Sequence, residues 1–99
     1  MKKIYKYLVN WDRAHDAPHK ASVELPRWAW DDIIDFEFQG SELYLWAVVD
    51  PSQPPIPVNL EIYGTGWEIE DADELTHLKT VHVNGFVWHI FIRKIIKKS

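Results

Sequence analysis

Residues 77–94, HLKTVHVNGFVWHIFIRK, place Asn84-Gly85 between two runs of β-branched and aromatic residues, and this dipeptide constrains the chain more than any other feature. The favoured two-residue hairpin loop needs positive φ at both central positions, which asparagine and glycine adopt with least strain. Such a turn also sets the strand register. Val83 is expected opposite Phe86, His82 opposite Val87, Val81 opposite Trp88 and Thr80 opposite His89. Alternation then gathers Val81, Val83, Phe86, Trp88 and Ile90 on one face, the expected core face, and His82, His89, Leu78 and Phe91 on the other. By the same parity His77 points away from His82 and His89.

Similar alternation runs through most of the chain. Residues 3–9, KIYKYLV, read as a first strand with Tyr5, Tyr7 and Val9 on one side and Ile4, Lys6 and Leu8 on the other. SVELP (22–26) reads as a short strand stopped by Pro26, and RWAWDD (27–32) as a connecting turn. In IIDFEFQ (33–39), Ile34, Phe36 and Phe38 alternate with Asp35, Glu37 and Gln39. Gly40-Ser41 turns the chain into ELYLWAVVD (42–50), which is apolar on both faces and therefore expected at a sheet centre. VNLEIY (58–63) sends Val58, Leu60 and Ile62 one way and Asn59, Glu61 and Tyr63 the other. Two stretches without a period read as loops: NWDRAHDAPHKA (10–21), and PSQPPIP (51–57), whose four prolines remove donors that a ladder needs. EDADEL (70–75) suits one helical turn anchored by Leu75, since acidic side chains favour a helix N-terminus. The sum is an all-β, mainly antiparallel fold, a small barrel or sandwich of about seven short strands with at most one short helical turn.

The 99 residues suffice for a single domain, 1–99, with a basic tail at 94–99 that frays from or extends the last strand. A hydrophobic fraction of 46%, including six tryptophans, supplies a core that needs no cross-links. The absence of cysteine excludes disulfides, thiolate metal sites and thiol catalysis. Lys6 and Asn10 interrupt the N-terminal apolar run, unlike a signal peptide, and no stretch reaches the roughly 20 apolar residues of a membrane span. A cytoplasmic protein with no membrane partner is expected. The net charge of −4 argues against general nucleic-acid binding. Lys2, Lys3, Lys6, Arg93, Lys94, Lys97 and Lys98 sit at the two ends, a basic patch if the ends meet, whereas 61–74 carries six acidic side chains and no cation.

These residues suggest binding, not an enzyme. Ser22, Ser41, Ser52 and Ser99 lack the surroundings of a nucleophile, nothing singles out one carboxylate of 68–74 for proton transfer, and no cofactor is implied. Gly64-Thr65-Gly66 lacks the lysine and spacing of a phosphate loop. Its simplest role is a turn that ends a strand through glycines at positive φ; the alternative is an anion nest of backbone N–H groups beside Trp67. Trp46 and Trp88, on strands, are assigned to the core. Trp11, Trp28, Trp30 and Trp67, in or beside loops, are stacking platforms, interface anchors or ordinary loop packing. A ligand stacked on these rings would meet Arg93 and Lys6 through its phosphates. His82 and His89 are candidate metal ligands that lack a third group, with hydrogen bonding to neighbours the simpler role. His15, Asp16 and His19 repeat the ligand types in the first loop.

The segments IYKY, VELP, LYLWAVVDP, IYGTGWEI and LKTVHVNGFVWHIF together resemble a family of short uncharacterised proteins of tailed bacteriophages and prophages, from about Ile4 to Phe91. Trp11 to Lys20 and the tail after Phe91 depart from that pattern. The resemblance implies a small accessory protein acting inside the bacterial host against a host or defence component. One form captures a nucleotide-like signalling molecule. The alternatives are inhibition of a host protein through protein–protein contact, and a minor virion component. Self-association through exposed edges or faces is a further expectation.

Overall fold

Among residues 1–12 and 18–93, which the computed structural model describes, the chain forms eight strands in two antiparallel sheets. These are β1 (Lys3–Leu8), β2 (Asn10–Asp12), β3 (His19–Pro26), β4 (Ile33–Gln39), β5 (Glu42–Val49), β6 (Pro55–Gly64), β7 (Leu75–Val83) and β8 (Phe86–Arg93). The first sheet has the order β1-β5-β4 and the second β2-β3-β6-β8-β7. The fold is all-β as expected, with two short 3-10 turns, Ala29–Asp32 and Ala72–Glu74, where one helical turn was expected. No described helix is long and apolar enough to cross a membrane. His15, Asp16 and the tail 94–99 lie outside the described residues.

One core fills the space between the sheets. β5 is central in its sheet, as its two apolar faces require, and Leu43, Leu45, Ala47 and Val49 point inward and are buried. From the second sheet come Val23, Leu25, Val58, Leu60, Ile62, Val81, Ile90 and Ile92. Each large side chain removed from water contributes about 1.5–3 kcal/mol. Tyr44, Trp46 and Val48 are the outward positions of β5 and only half-buried. Trp46 is therefore not a core residue, because the register that buries Leu45 and Ala47 turns its neighbour outward.

Two stretches expected as loops take part in strands. The chain crosses between the sheets at Val9, whose N–H donates to the Leu43 carbonyl at 2.9 Å, and β2 then pairs Trp11 with Ala21 and Asp12 with Lys20. Three residues are too few to display a period. Pro55-Ile56-Pro57 opens β6 and pairs with Pro26, Leu25 and Glu24 of β3. The prolines are tolerated because β8 meets β6 only from Leu60 onward, so their nitrogens face a flank that asks for no donor.

The Asn84-Gly85 turn is as expected, with φ of 48° and 83°, and all four anticipated pairs around it are present. Farther along β7 the register shifts. His77 pairs with Phe91 and Lys79 with Ile90, leaving Leu78 as an extra residue. This bulge turns Leu78 toward the core and brings His77 to the face of Thr80 and His89, the reverse of the parity expectation. A second bulge, at Ile34, puts Ile33 against the core and leaves Ile34 54% exposed, so Ile34 does not share a buried face with Phe36 and Phe38. Beside the two bulges Lys79 meets Asp35 at 2.7 Å and ties β7 to β4. That hydrogen bond holds the Asp35 carboxyl below its ordinary value.

Candidate functional site

β6 ends in a four-residue turn, Gly64 to Trp67, closed by the Trp67 N–H on the Gly64 carbonyl at 3.2 Å. Gly66 sits at φ 90°, as the third position of such a turn demands. Gly64 is needed for another reason. Its φ is not positive, but a Cβ there would lie 2.8 Å from Trp67 Cε2, because the indole folds back over the strand end. The expected positive φ thus applies to Gly66 and not to Gly64. Gly64→Ala is expected to cost about 1–3 kcal/mol by overpacking and to shift the tryptophan emission. Gly66→Ala is expected to cost about 1 kcal/mol through backbone strain and leave the emission unchanged. Thermal unfolding and fluorescence of the two variants check this pair.

Trp67 belongs to an aromatic rim at one end of the sandwich. Trp88, opposite Gly64 on β8, has ring contacts with Trp11 (5.2 Å), His19 (5.3 Å), Trp67 (5.7 Å) and Phe86 (6.1 Å). Trp11 Nε1 donates to His19 Nδ1 at 3.2 Å. Thr65, in the turn, is tied to β8 and β7 by a chain of hydrogen bonds: Thr65 Oγ1 to His89 Nε2 (2.8 Å), His89 Nδ1 to Thr80 Oγ1 (2.9 Å), and Thr80 Oγ1 to His77 Nε2 (2.9 Å). His89 and Thr65 therefore hold the turn in place. Among the described residues no three His, Cys, Asp or Glu side chains converge as metal ligands.

The outer face of the second sheet, along β6 and β8, carries a groove of about 570 Å³ beside Trp67. Its floor is Glu61, a carboxylate only 6% exposed. Glu61 and Tyr63, two apart on one strand, share this face, and the Tyr63 hydroxyl donates to Glu61 Oε1 at 3.0 Å. Arg93 grips both oxygens, Nε to Oε2 at 2.8 Å and Nη2 to Oε1 at 3.0 Å, and its Nη1 reaches Glu74 at 3.2 Å. Burial by itself raises the Glu61 pKa, but hydrogen bonds from Arg93 and Tyr63 and the charge of Lys20 outweigh it and hold the carboxyl below its ordinary value. Burial, reinforced by Glu61, pushes the Tyr63 phenol up to about 12. A phenol whose folded pKa exceeds its unfolded value near 10 adds stability below pH 10 that fades as pH rises toward 12. Spectrophotometric titration is expected to show this late phenol, and Tyr63→Phe to remove it along with that alkaline loss of stability.

The wall of the groove is acidic. Glu68, Glu70 and Asp71 join Glu61, against Lys20 and Arg93 as cations. Of the residues singled out from the sequence, Trp67 and Arg93 line this groove, the Gly64-Thr65-Gly66 turn borders it, and Trp11 lies in the adjoining rim. Trp28 and Trp30 meet at the 3-10 turn after β3 in a tilted contact, ring centroids 5.1 Å apart and planes at 53°, with Trp30 buried and Trp28 at φ 73° and exposed. Lys6 is on β1 of the other sheet, so the described terminal cations do not form one patch. Trp88 lies at the rim and not in the core proper; Phe86 is exposed. Glu61, Tyr63, Lys20 and Glu74 were not anticipated. The one signal for the first two was their spacing on a single strand face.

Residues 1–98 match a family model described as Domain of unknown function (DUF7352). No curated protein and no solved structure matches the chain.

Proposed function

The chain belongs to the DUF7352 family, and from that premise we propose that it is a non-catalytic binding protein whose groove receives a basic side chain of a protein partner. The observation that carries this reading is the engagement of Arg93. The cation best placed to hold a phosphate beside Trp67 is bound by Glu61 and Glu74, and the remaining wall is predominantly carboxylate. An ammonium or guanidinium entering there finds opposite charge together with the Trp67 ring. Proton-transfer chemistry is disfavoured because Glu61 is held ionised and Tyr63 protonated through the neutral range, whereas a general acid or base works best near it. In the phage setting that the sequence resemblance implies, the partner is a host protein in the bacterial cytoplasm, bound and thereby blocked.

Affinity capture from bacterial lysate tests the proposal. The wild-type chain is expected to retain a stoichiometric partner, and a Glu68→Lys/Glu70→Lys/Asp71→Lys variant to lose it. A panel of cyclic and ADP-ribose-type nucleotides, followed by tryptophan fluorescence and melting temperature, separates the competing idea. A nucleotide response without protein capture would replace the proposal with capture of a small molecule through Lys20 and Trp67. Silence in both assays would remove the groove as a binding site.

A further inference from the structure

The bulge in β7 changes what the β7–β8 hairpin presents to solvent. Strict alternation would point His77 and Thr80 to opposite sides of the sheet. The extra residue at Leu78 puts both on the outer face, with His89 directly opposite Thr80. His77 Nε2 and His89 Nδ1 each lie 2.9 Å from Thr80 Oγ1, so two imidazole nitrogens from different strands converge on one oxygen. Both rings are supported from behind. His89 Nε2 is 2.8 Å from Thr65 Oγ1, and the His77 ring meets Phe91 edge-on at 5.3 Å, while Phe91 meets Tyr63 in the same way at 5.6 Å. The single hydroxyl proton of Thr80 cannot serve two nitrogens, so Thr80 donates to one and accepts an N–H from the other. One of the two imidazoles therefore offers a lone pair to this point in the metal-free state, and a change of tautomer lets both do so.

We infer that His77 and His89 form a surface site for a divalent transition metal, copper(II) or zinc(II), held between the two nitrogens beside Thr80. Neutral imidazole suits these ions, whereas magnesium and calcium take oxygen ligands. In the bound state His89 carries its proton on Nε2 and donates it to Thr65 Oγ1, and His77 carries its proton on Nδ1. The lone pairs of His89 Nδ1 and His77 Nε2 then face the metal, and Thr80 turns its O–H aside. Thr65 fits either tautomer of His89, because a hydroxyl both donates and accepts. A ligating histidine whose other nitrogen is held by a hydrogen bond is the usual arrangement around a metal. Bonds of about 2.0–2.1 Å put the two nitrogens of a tetrahedral site about 3.4 Å apart. The shared oxygen already keeps them within reach of that spacing, and His77, exposed on an edge strand, moves to supply the remainder. Among the described residues no third His, Cys, Asp or Glu completes the set, His82 on the same face included. Water fills the other positions, and copper binds more tightly than zinc. Neither histidine lines the groove, so the site stands independently of the function proposed for it.

Calorimetric titration of the full chain with copper(II) and zinc(II) chloride at neutral pH, with magnesium chloride as the control, tests the site. The wild type is expected to take up one copper ion, zinc more weakly and magnesium not at all, and paramagnetic resonance of the copper complex to report two imidazole nitrogens. His77→Ala and His89→Ala are each expected to weaken copper binding at least about tenfold, since loss of an outer-shell partner alone costs that much. His82→Ala is expected to bind as the wild type does. Zinc should raise the melting temperature of the wild type and of His82→Ala, and leave that of His77→Ala unchanged. His77 is exposed, so its variant keeps the test valid should His89→Ala, which also releases Thr65, fail to fold. No uptake of copper by the wild type would overturn the inference. So would copper binding that His77→Ala weakens no more than His82→Ala does, for the ion would then sit elsewhere.

Discussion

Trp88→Ala is expected to lower the unfolding free energy by about 3 kcal/mol, the low end of the range for removing a large aromatic side chain from a core, because Trp88 is half-buried. For a domain of this size that corresponds to a fall in melting temperature of roughly 12–24 °C. The loss does not stop at one side chain. Trp88 is where Trp11, His19, Trp67 and Phe86 converge, and aromatic pairs contribute about 0.5–1.5 kcal/mol beyond area burial. With the ring gone, Trp67 keeps His19 as an edge contact at 5.2 Å but loses its support from β8. The near-ultraviolet circular dichroism should therefore weaken along with stability. Trp28→Ala is the contrast: a ring 51% exposed, in contact with Trp30, should change the melting temperature little. Equal losses for the two variants would mean that the rim is not a cooperative cluster.

Arg93→Ala is expected to be nearly as damaging, and its cost should depend on pH in a direction that identifies the cause. Removal of the guanidinium strands Glu61, whose carboxylate is buried. An unpartnered buried charge costs about 3–5 kcal/mol, an upper bound here because Tyr63 still donates and Lys20 is near. In the wild type the folded pKa of Glu61 lies below its unfolded value near 4.5. The group therefore adds stability above pH 4.5 that is lost as pH falls through the lower folded value. In the variant the lowering contributions of Arg93 are gone while burial remains, so the folded pKa moves up and less stability is lost when the carboxyl is protonated. The gap between wild type and variant is thus widest near neutrality and narrows on acidification below about pH 5. Glu61→Gln, which keeps the shape and leaves Arg93 reaching Glu74, should be milder. Chemical unfolding at several pH values distinguishes this from simple loss of packing, which would give a gap independent of pH.

The local signals in the chain carried most of the architecture. Asn84-Gly85 specified its turn and four strand pairs, and the two apolar faces of ELYLWAVV placed β5 at a sheet centre. What escaped depended on partners distant in sequence. A bulge adds one residue to one strand, and the need for it at Ile34 and Leu78 arises only where β4 and β7 meet, so parity put His77 and Ile34 on the wrong sides. Glu61 occupied a polar position in an alternating strand, the ordinary signature of a solvent-facing side chain. Its burial needs Arg93 from another strand and the segment around Trp67 beside it. Trp11 looked like part of a loop because a three-residue strand makes no pattern until Ala21 lies across from it.

The strand order also has a consequence for the growing chain on the ribosome. The β1-β5-β4 sheet has all its strands once Val49 has been added, although β1 must wait for a partner far along the chain, Ile4 for Val48. The other sheet is different, because β8 lies between β6 and β7. Until Phe86–Arg93 is synthesised, β6 has an open edge along Leu60 to Gly64, and β7 has no neighbour in its sheet. The β7–β8 hairpin can then zip within microseconds, and it brings in one step the strand that joins Leu60 to Ile92 and the arginine that neutralises Glu61. The buried charge is compensated at the same moment that the sheet closes, so a nascent chain lacking β8 carries both an exposed strand edge and an unpartnered carboxylate.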